Sequence, residues 1–249
     1  MIKQLQLNRN HIKIERALIS VFDKTGVVEL AKTLEEMNVE ILSTGGTYKV
    51  LQEASIKVVD VSEYTKFPEI MNGRVKTINP LIGGGLLGLR DEHEKDAKEN
   101  NIQWIDLVIC NLYPFAEATS KENCDEALAL ENIDIGGPTM IRAAAKNLGW
   151  VCVAVDPNDY TNIADELKTT GKISFESRKS FSTKAFGHTA KYDTIIHNYF
   201  KSEKLSEDFS LTFTKHSDLR YGENPHQSAA AYKVSEGKDY NILNAHIHQ

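Results

Sequence analysis

Five short apolar runs, separated by stretches with the spacing of one-sided helices, constrain the fold of this chain more than any other feature. Ala17 to Phe22 (ALISVF) is followed by the loop Asp23 to Gly26, then by Val27, Leu30, Ala31 and Leu34 at the i, i+3, i+4, i+7 positions of one buried helix face. Val39 to Ser43 is a second run. Thr44-Gly45-Gly46-Thr47 interrupts it, Tyr48 to Ala54 has room for a short helix, and Lys57 to Val61 reads as a third strand. Asp106 to Cys110 and Trp150 to Val155 complete the series. Strands this apolar on both sides of the pleat are buried on both faces, so the alternation predicts a parallel α/β sheet flanked by helices.

Between the third and fourth runs, Ser62 to Leu89 contains Pro68, Gly73, Pro80 and the triplet Gly83-Gly84-Gly85, and is expected not to form one regular element. A segment of that length usually carries function. Arg90 to Asn101 is mostly charged and reads as a solvated helix face. Phe175 to Phe200 has a helical pattern, and the polar stretch Lys201 to Asp208 resembles a domain boundary. The expectation is one domain over residues 1–200 and a short segment over 201–249 that is too small to fold alone.

Composition narrows the classes of function. Of 249 residues, 35 are acidic and 29 basic, so the net charge is −6, which argues against a general nucleic-acid coat. No apolar run reaches the ~18 residues needed to cross a bilayer, and Met1 to Arg16 lacks a signal-peptide core, so a cytoplasmic protein without membrane contact is expected. The three cysteines Cys110, Cys124 and Cys152 have no CxxC spacing, which points to reduced, mostly buried thiols.

In an open parallel sheet the C-terminal strand ends share one edge, and loops leaving that edge converge. Thr44-Gly45-Gly46-Thr47 lies between a strand and a helix, where glycines let a ligand approach and free N–H groups face an anion. Glycine-rich turns of purely structural use are also common. Lys24 follows the first strand, and Arg74 and Lys76 in Gly73 to Thr77 are cations able to clamp a phosphate or polarise a carbonyl, or simply to be solvated. Tyr113, in Asn111 to Phe115, is either presented at the same edge or packed. Asp134, in Asp134-Ile135-Gly136-Gly137-Pro138, precedes a helix that contains Arg142 and Lys146, and caps it or serves the site.

All eight histidines fall outside these segments, so a histidine-based triad is not expected. His246 and His248 lack an obvious third ligand, and no metal site is expected. The candidate chemistry rests on Lys, Tyr, Asp and backbone N–H groups, which suits proton transfer and carbonyl polarisation on a phosphorylated organic substrate.

SVFDKTG, STGGT, GRVKT, CNLYPF, ENIDIGGPTMIRAAAKN and KAFGHTAKYD occur here in that order, followed by LRYGENPHQ. In this the chain resembles the bifunctional purine biosynthesis family, whose members are AICAR formyltransferases and IMP cyclohydrolases, over about residues 17–200 and again at the last motif. The resemblance implies a methylglyoxal-synthase-like parallel α/β domain that closes formylated aminoimidazole carboxamide ribonucleotide to inosine monophosphate (IMP) with loss of water. It implies nucleotide contacts from Ser20, Asp23, Lys24, Thr44, Gly45, Gly46, Thr47, Arg74, Val75, Lys76, Thr77, Cys110, Asn111, Asp134 and Ile135. The catalytic group it implies is Lys76, Tyr113, Asp134 and Lys146, acting without cofactor or metal. Its partners would be a purine ribonucleotide substrate and a second copy in a homodimer. Arg220 and Tyr221 match a substrate-contact motif of the transformylase half, but the catalytic core of that half, which uses 10-formyltetrahydrofolate, lies beyond Gln249, so transformylase activity is not expected.

The chain departs from the family pattern at four positions. Asn79 and Gly83 stand where the family usually has histidines, Leu148 where a third is usual, and Phe22 where a serine is common. Two other readings follow. Methylglyoxal synthase would explain STGGT but leave GRVKT, NLYPF and IDIGGPT without purpose, and a nucleotide-binding module without turnover would explain the lost histidines.

Overall fold

The computed structural model describes residues 6–121, 123–201 and 207–234. Two compact units divide the chain, residues 1–190 and 191–249.

The first unit is a sheet of five parallel strands, β1 (Arg16–Ser20), β2 (Glu40–Ser43), β3 (Val58–Asp60), β4 (Leu107–Cys110) and β5 (Cys152–Ala154), in the order β3-β2-β1-β4-β5. All five apolar runs therefore form strands of one parallel sheet, within two residues of the expected ends. Every residue of β4 and β5 is buried, as strands covered on both faces require. The chain moves outward from β1 to β3, then returns to β4 on the other side of β1. Strand order thus reverses between β1 and β4, the position at which open sheets of this kind leave a crevice.

Helices α1 (Val27–Glu36), α2 (Gly45–Glu53) and α3 (Val61–Thr65) follow the first three strands. Val27, Leu30, Ala31 and Leu34 of α1 are all buried, as their spacing predicts. They join Ala17, Ile19, Ile41, Ile109, Ala154, Ile163 and Leu167 in the main core.

The segment 62–89 contains more regular structure than its glycines and prolines suggest. Helix α4 (Pro80–Leu87) includes Gly83, Gly84 and Gly85. Asn79 caps it, its Oδ1 accepting from Leu81 N at 2.8 Å, and Pro80 occupies the first turn. Tertiary packing overrides the poor helix propensity of glycine. A methyl group on Gly84 would lie 2.6 Å from Ile102, and one on Gly85 2.6 Å from the Gln103 carbonyl, so only bare backbone fits. The charged stretch 90–101 contributes α5 (Glu94–Glu99), in which only Ala97 is buried.

After β4 come α6 (Phe115–Thr119), α7 (Glu126–Glu131) and α8 (Gly136–Lys146); after β5 come α9 (Tyr160–Thr170) and α10 (Phe175–Phe200). Arg178 of α10 is fully buried and donates to five backbone carbonyls, those of Asn8, Asn10, Leu148, Gly149 and Ile173. It fastens the N-terminal segment and the turn after α8 to α10.

In the second unit, β6 (Phe213–Leu219) and β7 (Ala229–Val234) form an antiparallel pair. Arg220 and Tyr221 lie in the turn between them and are exposed. Most of the polar stretch 201–208 and the histidines at 246 and 248 lie outside the described residues. No helix among the described residues is long and apolar enough to cross a membrane.

Candidate active site

A cleft of about 970 Å³ opens at the C-terminal ends of β1, β2 and β4, beside the reversal of strand order. Its size falls within the range of small-molecule sites.

One wall is cationic. Helix α2 begins at Gly45, and no side chain caps its first turn, which leaves backbone N–H groups and the positive end of the helix dipole facing the cleft. Two ammonium groups meet that turn. A methyl group built on Gly45 would lie 3.6 Å from Lys76 Nζ, and one on Gly46 3.8 Å from Lys24 Nζ. Lys24 Nζ also donates to the carbonyls of Val21 (3.1 Å) and Phe22 (3.2 Å), which holds it at the turn. Gly45 has φ +56°, a conformation that favours glycine. Two cations and a free helix N-terminus around bare backbone make an anion cradle.

The other side carries proton-transfer groups. Asp134 Oδ1 accepts from Gly137 N at 2.9 Å, which fixes the carboxylate at the start of α8. Tyr113 leaves β4 and lines the same cleft. Cys110, between them, is fully buried; burial, and then the nearby Asp134 carboxylate, push its thiol well above the ordinary range, so it is no nucleophile near neutral pH.

Two buried residues of the cleft spend their side chains on the scaffold. Thr47 Oγ1 is bonded to both backbone groups of Val21. Asn111 Oδ1 accepts from Phe22 N (2.7 Å) and Asp23 N (2.9 Å), while its Nδ2 donates to Asp23 O (3.0 Å). Asn111 therefore ties the loop after β1 to the end of β4.

Of the residues expected at the site, Ser20, Lys24, Thr44, Gly45, Gly46, Thr47, Arg74, Lys76, Thr77, Cys110, Asn111, Tyr113, Asp134 and Ile135 all line this cleft. Arg74 reaches it paired with Glu131. Asp23, Val75 and Lys146 are not among the lining residues. Asp23 is exposed and closes a local turn, its Oδ1 accepting from Thr25 N at 2.9 Å; the Thr25 hydroxyl and N–H together lower its pKa. Val75 pairs with Ile70 across a tight turn. Lys146 is exposed on the last turn of α8, about 9 Å of helix rise beyond Met140, the last residue of that helix to line the cleft.

Sequence reasoning did not pick out Phe22, Leu130, Glu131 or Met140 as lining residues. Leu130 and Glu131 lie on α7, and no periodicity of a short helix announces which side faces a ligand. Of the four departures from the family pattern, Asn79, Gly83 and Leu148 lie outside the lining and only Phe22 lies within it.

The comparisons with known proteins agree with this fold. The MGS-like domain model matches residues 26–139, and the AICARFT/IMPCHase bienzyme model matches residues 144–249. The bifunctional purine biosynthesis protein PurH of Acetivibrio thermocellus is 54% identical over 227 residues, covering 88% of this chain and 44% of that protein. PurH of Lysinibacillus sphaericus is 50% identical over 233 residues, covering 93% of this chain and 46% of that protein. The chain thus spans less than half the length of these curated relatives. The crystal structure of ForH superposes with a TM-score of 0.69 at 32% identity, covering 74% of this chain and 96% of that one. A five-stranded parallel sheet, a cleft at its strand reversal and these matches place the chain in the AICARFT/IMPCHase bienzyme family.

Proposed function

We propose that this chain is an IMP cyclohydrolase, closing formylated aminoimidazole carboxamide ribonucleotide to IMP with loss of water. The observation that carries the reading is the meeting of Lys24, Lys76 and the open N-terminus of α2 in the same cleft as Tyr113 and Asp134. The cationic wall suits the 5′-phosphate of a ribonucleotide. The matched relatives' name, purine biosynthesis protein, supports a purine substrate.

Ring closure joins the carboxamide nitrogen to the formyl carbon of the same molecule, so holding the substrate folded supplies much of the acceleration. Asp134 accepts the proton that the carboxamide nitrogen gives up as the C–N bond forms. Tyr113 stabilises the oxygen of the former formyl group as negative charge develops and donates the proton that converts it to a hydroxyl, while Lys76 holds the phosphate end of the substrate. Loss of that hydroxyl, with a second nitrogen proton, releases water and leaves the C=N bond of the purine.

Lys146 belongs to the catalytic group that the resemblance implies, and its place outside the cleft favours a second reading, a module that binds purine nucleotide without turnover. Formation of IMP from the formylated substrate, without folate or metal and followed by absorbance, separates the two. The proposal expects turnover that Lys76→Ala and Asp134→Asn each lower by about a hundredfold or more. Binding of IMP with no turnover supports the second reading, and neither binding nor turnover removes both. Lys146→Ala, measured alongside, tells whether that residue acts from outside the cleft.

A further inference from the structure

We infer that Phe22 and Tyr113 form an aromatic wall that takes the heterocycle of the ligand, which makes Phe22 a specificity-determining residue of the cleft. The inference rests on reading the cleft as a purine-nucleotide site.

The rings of Phe22 and Tyr113 meet edge to face, with centroids 4.6 Å apart and planes at 77°. This is a favoured arrangement for an aromatic pair. Phe22 is 48% exposed although it lines a concave site, and two further exposed apolar side chains, Leu130 (55%) and Ile135 (59%), line the same cleft. Exposed apolar surface gathered in a cleft, rather than scattered singly over the protein, marks a place where a ligand is covered. The cleft therefore offers two kinds of contact: Lys24, Lys76 and the start of α2 suit a phosphate, and the exposed apolar side chains suit a flat ring.

The wall is also rigidly placed. Asn111 stands two residues before Tyr113 and accepts from Phe22 N at 2.7 Å, so one amide side chain ties the backbone of Phe22 to the segment that carries Tyr113. Lys24 Nζ, at the cationic wall, donates to the Phe22 carbonyl at 3.2 Å. Phosphate cradle and aromatic wall are thus two ends of one short loop. A serine at position 22 would leave Tyr113 without this ring and open the apolar part of the cleft to water.

The test compares two probes on the full chain by titration calorimetry: IMP, which carries a heterocycle, and ribose 5-phosphate, which does not. Aromatic contacts with a base are worth enough that Phe22→Ser should weaken IMP by about five- to a hundredfold. Ribose 5-phosphate should change by less than about twofold, and Phe22→Tyr, which keeps the ring, should bind IMP like the parent chain. Three results overturn the inference. If Phe22→Ser leaves IMP affinity unchanged while Lys24→Ala weakens both probes, the wall does not read the base, and the nucleotide reading stands. If Phe22→Ser weakens both probes equally, Phe22 only supports the loop. If the parent chain binds neither probe, the nucleotide reading falls as well.

Discussion

Thr47 Oγ1 accepts from Val21 N at 3.0 Å and donates to Val21 O at 2.9 Å, so one hydroxyl satisfies both backbone groups of the residue that follows β1. The resemblance to the family assigns Thr47 to nucleotide binding, and its backbone N–H, in the first turn of α2, remains the group suited to that task. Thr47→Val keeps the shape and removes the hydroxyl, leaving the buried Val21 N–H unpaired and its carbonyl with the Lys24 ammonium alone. Stability should fall by about 1–3 kcal/mol, read as a lower urea midpoint. IMP affinity measured on the folded variant should change by less than about threefold; loss of binding there would falsify the division of labour between hydroxyl and backbone.

Gly45 offers the complementary case. Its φ of +56° strains any residue with a Cβ by roughly 1–2 kcal/mol, and the added methyl group would stand 3.6 Å from Lys76 Nζ, inside the anion cradle. Gly45→Ala should therefore lower phosphate affinity by at least about tenfold with only modest loss of stability. Titration with IMP and thermal melting of the same sample check both halves; unchanged affinity would place the anion elsewhere.

Arg178 is fully buried, and its guanidinium is satisfied by carbonyls from the N-terminal segment, the turn after α8 and the turn before α10. Arg178→Met removes all of these bonds, although Ile12 N and Asn8 Nδ2 still reach the Ile173 and Gly149 carbonyls, and should cost about 3 kcal/mol or more. Arg178→Lys should not restore the loss, because one ammonium cannot span acceptors that a planar fork reaches. Denaturant unfolding of both variants is the measurement, and a lysine variant as stable as the parent would contradict it.

Lys184 sits between Asp156 and Asp159, with its Nζ 2.8 Å from each. The hydrogen bond from Lys184, the largest cause, holds the Asp156 carboxyl below its ordinary pKa of 3.8. Burial works against the charge on Lys184, but bonding to the two carboxylates outweighs it and raises the ammonium above 10.5. A lowered carboxyl contributes stability above its unfolded pKa and loses it as pH falls through the folded value. A raised amine contributes below its unfolded pKa and loses it as pH rises through the folded value. The pair should therefore stabilise the fold from about pH 4 to 10, by about 0.5–1 kcal/mol for a half-exposed pair. Lys184→Ala should lower the melting temperature at pH 7, by an amount that shrinks as pH falls through the lowered Asp156 value; a deficit that does not change with pH would assign the loss to packing.

Much of this arrangement is legible in the order of residues. Runs apolar on both faces leave few choices besides a parallel sheet, and its C-terminal edge gathers Lys24, the Thr44 to Thr47 turn and Asn111 without further information. What is not legible depends on contacts between distant segments. Gly83 to Gly85 read as a break, since helix propensity cannot report that Ile102 and Gln103 press against them. That the side chains of Asn111 and Thr47 hold the loop after β1 is not legible either, because polar residues beside a site look alike whether they face a ligand or the backbone. Lys146 shares a helix with the cleft wall, but sequence proximity says nothing of the distance between the two ends of α8.

The close seat of α4 has a consequence for Lys76. Gly84 and Gly85 meet Ile102 and the Gln103 carbonyl at the distance of bare backbone, and Asn147 Nδ2 grips the carbonyls of Leu86 and Gly88 at 2.8 and 3.0 Å. That helix is an anchor post for the strand of chain leading back through Asn79 and Thr77 to the Lys76 ammonium. A single added carbon at Gly85 would push the post outward and misalign a charge on the far side of the cleft wall, so a mutation outside the cleft would register as a change in the cleft's hold on an anion.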